Sequence, residues 1–191
     1  MDMHRNIVER LTAEHGNMVH VLALVRVQLE MLRPDSPAAS FTLLESAIGY
    51  LSGFHGRFHH PMEDLIFECL IGCAPDKAST CARLIEEHIQ INVQESAMLR
   101  HIVQARSGDS KACRAVRILG RTYCDIQAQH IDVEECETLP AAMSLLQATD
   151  WSRIRNATSA SSDPLSDPDM LRRHESVYDY LMEAGADLRR H

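Results

Sequence analysis

The sequence predicts an all-α fold: an up-down-up-down antiparallel four-helix bundle with an extra helix at the C-terminal end. Three observations carry this. Long stretches rich in Leu, Ala, Glu, Arg, Gln and Met repeat their apolar residues every three or four positions, the period of an amphipathic helix. Gly (8) and Pro (7) are scarce and gather in a few places, which leaves four long uninterrupted segments. Only four Phe, four Tyr and one Trp are present, so few residues favour strands.

The first helix is expected from about Met3 to Arg33, with Leu11, Met18, Leu22, Val25 and Leu29 on its apolar stripe. Arg33-Pro-Asp-Ser-Pro37 breaks it, and Ser40 is the expected N-cap of the second helix. That helix carries Phe41, Leu44, Ile48, Leu51, Ile66 and Leu70, and Pro61 inside it should kink or divide it. After a turn at Gly72–Asp76, the third helix runs from about Pro75 to Arg106 on Cys81, Leu84, Ile91, Met98 and Ile102. Ser107-Gly-Asp-Ser110 ends it and caps the fourth, about Asp109 to Cys136. A short helix around Ala141–Ala148 is expected next. Asn156–Asp167, rich in Ser, Asp and Pro, reads as a linker, and Asp167-Pro168 opens a fifth helix reaching about Ala184. The expected division is therefore a bundle over 1–150, then a linker and C-terminal helix over 151–191. That last helix either packs back on the bundle or forms a homodimer contact through residues such as Val177, Tyr178 and Leu181.

At 191 residues the chain is long enough for one well-packed domain. A formal net charge of −8, with Lys77 and Lys111 the only lysines, argues against nucleic acid as a partner. The N-terminus has no signal-peptide core, and no run approaches the roughly 18 apolar residues of a membrane span. A cytoplasmic protein without membrane contact is expected. Six cysteines form no C-x-x-C pair, so buried free thiols are expected rather than a zinc ribbon.

Eleven histidines are the compositional oddity. At about 100° per residue, His15, His88 and His130 fall on the apolar stripes of their helices, and His55, His59 and Glu63 lie on or beside the second. His20 and His101 fall on outer faces; His4, His174 and His191 read as surface residues. One histidine on an apolar face is usually a core residue with satisfied nitrogens. Four helices each supplying one, with Glu63 and Glu134 buried a turn beyond His59 and His130, is a different matter. Two buried carboxylates call for a common cation, since an unpaired one costs several kcal/mol or takes up a proton. Imidazole with carboxylate suits iron, manganese or zinc, and paired bridging carboxylates suit two metals. His-x-x-x-Glu lets one residue bind terminally while its neighbour a turn away reaches inward to bridge.

Glu14-His15, Phe58-His-His-Pro-Met-Glu-Asp64, Glu86-Glu-His88 and His130-Ile-Asp-Val-Glu134 together resemble the hemerythrin-like family with the HHE cation-binding domain, over roughly residues 3–148. The resemblance implies two non-haem iron ions held by His15, His59, His88 and His130, with Glu63 and Glu134 bridging. His60 matches a position that is His or Glu in relatives and is a further candidate ligand; His55 is an extra ligand or a hydrogen-bonding neighbour of one. The pattern departs from oxygen-carrying hemerythrins at Asn92, where they have a histidine, and at Glu134, where they end H-x-x-x-x-D. One histidine fewer leaves a coordination position for water or an exogenous ligand.

The implied function is binding or sensing of O₂, or a related small ligand, at the iron pair. An enzyme reducing peroxide or nitric oxide is the alternative, with Tyr123 a candidate proton donor, as is a protein of iron homeostasis or repair. A ferritin-like carboxylate oxidase needs Glu-x-x-His pairs, and the chain has none.

Overall fold

The computed structural model describes residues 3–160 and 168–188, and among these there is no strand. The helices are α1 (Met3–Met31), α2 (Ala38–Tyr50), α3 (His60–Cys73), α4 (Ala78–Arg106), α5 (Ser110–Val133), α6 (Leu139–Leu145), α7 (Ala148–Ala160) and α8 (Pro168–Leu188). π-helical turns at Leu51–His59 join α2 to α3, and others at Glu134–Thr138 join α5 to α6. The second predicted helix is thus one continuous rod with a widened middle. Both widened stretches lie just before a proline near the start of the next helix, Pro61 and Pro140. A proline has no N–H to give and crowds the carbonyl one turn back. Opening the turn relieves both: the N–H groups of His60 and Leu139 bond carbonyls five residues back, on His55 and Glu134. Pro61 therefore shifts the register rather than breaking the helix.

Ser40 is not the cap of α2. The helix begins at Ala38 behind Pro37, whose backbone fills the cap position without a side-chain bond. Asp109 does cap α5, accepting from the N–H groups of Lys111 and Ala112, and Gly108 before it takes φ +91°, a conformation that favours glycine.

Cross-helix contacts set the directions. Arg26 meets Asp125 while His15 meets Glu135, so α1 and α5 run oppositely. Glu45 meets Arg106 and Asp64 meets His88, which opposes the α2–α3 rod to α4. Glu95 meets Tyr123 and Glu87 meets His130, which opposes α4 to α5.

The core falls into two apolar clusters. One includes Leu22, Leu29, Leu44, Met98 and Val116; the other includes Leu11, Ile66, Phe67, Leu84 and Trp151. Chain order along each helix places the buried histidines and glutamates between them: Leu11 and Met18 flank His15, and Leu84 and Ile91 flank His88.

Past the bundle, the described residues hold more helix than the sequence predicts. Residues 156–160, read as linker, belong to α7, which buries Trp151 and Ile154 in the second cluster. The rest of that stretch, 161–167, lies outside the described residues, as do His191 and the side chains of His4, Met170 and Leu171. Helix α8 packs back on α1 and α2, burying Leu181 in the first cluster. His174 is not a free surface residue: its ring stacks on Tyr50, centroids 4.3 Å apart. Its neighbour Tyr178 donates to His20 Nδ1 at 2.7 Å. Of the six free cysteines, Cys73 and Cys136 are exposed rather than buried. No described helix is long and apolar enough to cross a membrane.

Candidate metal centre

The four long rods bring six predicted residues together. His15 comes from α1, His59 and Glu63 from the turns around Pro61, His88 from α4, His130 from α5 and Glu134 from the turn that follows it. All six are at most 2% exposed.

They form two groups. His15 Nε2 and His59 Nε2 lie 3.1 and 3.0 Å from Glu63 Oε1, and His15 Nε2 is 3.4 Å from Glu134 Oε2. His88 Nε2 lies 3.5 Å from both Glu63 Oε2 and Glu134 Oε1, and His130 Nε2 is 2.9 Å from Glu134 Oε1. Each carboxylate thus turns one oxygen to one imidazole pair and the other oxygen to the second pair. Within a pair the Nε2 atoms point at each other, His15 to His59 at 2.9 Å and His88 to His130 at 2.8 Å.

Four outer carboxylates orient the rings. His59 Nδ1 donates to Glu14 at 2.6 Å, His88 Nδ1 to Asp64 at 2.7 Å, His130 Nδ1 to Glu87 at 2.9 Å and His15 Nδ1 to Glu135 at 3.2 Å. With the hydrogen on Nδ1, the neutral ring directs its Nε2 lone pair inward. Lone pairs 2.8–2.9 Å apart, beside two buried carboxylates, repel unless positive charge lies among them. Glu63 Oε2 and Glu134 Oε1 accept no hydrogen bond, although imidazole nitrogens stand close by. The donor set therefore fits a metal: His15, His59 and Glu63 can hold one ion, and Glu63, His88, His130 and Glu134 another.

Protons answer the same charge when no metal does. Burial opposes a charged His59, but Glu63 and Glu14 outweigh it and push the ring up to about 10. Burial likewise opposes charge on His88, yet Asp64 and Glu134 push it up to about 9. Burial favours a neutral Glu63, while His59 and His15 hold it well below the usual carboxylate range.

Glu14, Asp64 and Glu87 stand in the sequence motifs without a role, and Glu135 lies one residue beyond the last of them. The signal was there: each is adjacent in sequence to one core residue of the centre and bonds a histidine on another helix. Glu14 precedes His15 but holds His59; Glu87 precedes His88 but holds His130. Glutamine at position 14 keeps the shape but weakens the grip on His59, so Glu14→Gln should lower metal affinity by about 10–100-fold. Competition with a chelator of known affinity measures it; unchanged affinity would remove Glu14 from the site.

The other candidates fall outside both groups. His55 Nδ1 donates to the Leu51 carbonyl at 3.2 Å, and its ring stands edge-on to His59. His60 is 3% exposed and stacks on His88 with centroids 4.2 Å apart, yet neither nitrogen has a partner. Burial and the neighbouring His88 hold it well below its ordinary pKa, so it is a neutral ring.

Tyr123 lies seven residues, two turns, before His130. Its hydroxyl donates to Glu95 Oε1 at 2.7 Å and accepts from Gln127 Nε2 at 3.1 Å. Sequence reading missed Glu95, whose 2% exposure pushes its carboxyl up to about 7 from the ordinary 4.5. A raised acid stabilises the fold fully below the unfolded value and loses that contribution as pH climbs through the folded one. Between about pH 4.5 and 7 this amounts to roughly 3 kcal/mol. Urea midpoints from pH 4 to 8 should fall less steeply for Glu95→Gln than for the natural chain; identical slopes would contradict the assignment.

A helical bundle with histidine–carboxylate clusters buried in its core is the build of a non-haem metal-binding protein. The family model of the hemerythrin HHE cation-binding domain matches residues 6–142, well over half of the chain, and the chain belongs to that family. No curated protein matches it. Helices α7 and α8 lie beyond the matched range.

Proposed function

We infer that this chain is a non-haem di-iron protein that binds or senses O₂, or a related small ligand, at a carboxylate-bridged metal pair in the bundle core. One observation carries the reading: Glu63 and Glu134 each divide their two oxygens between the two imidazole pairs. A single ion centred on either group would leave the other group's imidazoles and carboxylate oxygens buried and unmatched. Two ions sharing the carboxylates satisfy all of them. Imidazole and carboxylate also suit manganese and zinc; family membership favours iron.

Bound iron would supply one-electron redox chemistry and a coordination position for a small ligand. The chain's residues supply orientation and shielding. Glu14, Asp64, Glu87 and Glu135 fix the rings through Nδ1, and apolar side chains on either side keep bulk water out. His60, neutral and unpaired beside His88, is the group available to hydrogen-bond a small polar ligand. Tyr123 has its hydroxyl committed to Glu95 and is less suited to donating a proton directly at the ions.

Anaerobic titration of the reduced, iron-loaded protein with O₂ tests this. Charge-transfer bands that appear with O₂ and vanish under vacuum are expected. Irreversible oxidation, with catalytic consumption of peroxide or nitric oxide, would establish the enzyme instead.

A further inference from the structure

Tyr123, Glu95 and Gln127 are 0%, 2% and 1% exposed, and they sit in an otherwise apolar layer of the bundle. Burial pushes the Glu95 carboxyl up, and the group that bonds it is the Tyr123 hydroxyl. Leu or Phe would fill such a layer at lower cost, because a buried carboxyl that is only half satisfied destabilises the fold. Glu95 Oε2 and Gln127 Oε1 have no partner at all. The layer's place is what gives it meaning. Glu95 follows His88 by seven residues on α4, and Tyr123 precedes His130 by seven on α5. Two helical turns on each rod put the pair about 10 Å along the bundle from the metal centre.

We propose that Tyr123 is a redox-active side chain that donates one electron to the oxidised metal pair while Glu95 takes its phenolic proton. The inference rests on the di-iron reading above. In the step, the Tyr123 O–H bond breaks, the proton bonds to Glu95 Oε1, and the electron reduces the metal pair by one unit. A neutral tyrosyl radical and a neutral carboxylic acid remain. Hydrogen peroxide is the oxidant that raises the pair to the accepting state: it takes two electrons from the pair and two protons from solvent, its O–O bond breaks, and two waters leave.

The geometry selects Tyr123 over the other tyrosines. A phenol is oxidised readily only when a base stands ready to accept its proton, and the 2.7 Å contact to Glu95 provides one away from solvent. The Tyr50 hydroxyl is buried without an acceptor. Tyr178 has His20, but on an exposed edge, where a radical would be quenched. Tyr180 is 50% exposed.

The test uses the full chain loaded with iron and treated with hydrogen peroxide, then frozen for electron paramagnetic resonance. Iron content is measured beside it in the natural chain and in Tyr123→Phe, Glu95→Gln, Tyr50→Phe and Tyr178→Phe. The expected result is equal iron in all five, with a tyrosyl signal lost in Tyr123→Phe. That signal should fall by more than half in Glu95→Gln and persist in the other two. Equal iron with no radical in the natural chain, or a radical that survives Tyr123→Phe, overturns the proposal and leaves the metal centre standing. Failure to take up iron overturns the di-iron reading and this proposal with it.

Discussion

Glu63→Ala is expected to abolish binding of both ions, not of one. Its Oε1 stands 3.1 and 3.0 Å from the His15 and His59 nitrogens, and its Oε2 3.5 Å from His88, so a single side chain serves both groups. His130→Ala removes one donor from one group and should leave some binding at the His15–His59 side. Metal content per chain after exhaustive dialysis separates the two variants. The Glu63 variant should also be less stable when metal is supplied, because Glu134 and four imidazoles remain buried without the cations that match them. Removing one member of a buried charged set costs about 3–5 kcal/mol. A Glu63→Ala protein with full metal content and an unchanged melting temperature would show that the carboxylate does not bridge.

Stripping metal from the unaltered chain should lower its melting temperature by roughly 10 °C. Ligand at 100–1,000 times its dissociation constant stabilises the folded state by about 3–4 kcal/mol. Each kcal/mol moves the melting point of a chain this size by about 2–4 °C. The metal-free protein should remain helical, since protons answer the buried carboxylates and the apolar clusters on either side of the centre stay packed. Circular dichroism melts with and without a strong chelator, followed by re-addition of ferrous ion, measure the effect and its reversal. A melting point indifferent to the chelator would mean that the core residues are satisfied without metal.

The helices and the inward placement of His15, His88 and His130 were legible because a single period of 3.6 places them beside leucines and isoleucines. What periodicity could not show was the effect of Pro61 and Pro140. Each opens the turns before it, and an opened turn shifts side-chain directions that a regular period would fix. His55 therefore reads as central to the stripe, yet bonds its own backbone. The outer carboxylates were hidden for another reason: Glu14 and Glu87 act on histidines of different helices, and only the packing reveals which. Glu95 and Tyr123 illustrate the same limit. A polar residue on a stripe is visible in sequence, but its partner across the core is not. Helix α7 escaped notice because Ser, Thr and Asn dilute its pattern, and burial of Trp151 and Ile154 holds it in place.

The most direct measurement is the iron content of the reconstituted chain together with the Mössbauer spectrum of its oxidised form. Two irons per chain, coupled to a diamagnetic ground state, are expected of a pair bridged by Glu63 and Glu134. One iron per chain, uncoupled ferric ions, or a preference for a single tightly held zinc would contradict the bridged pair.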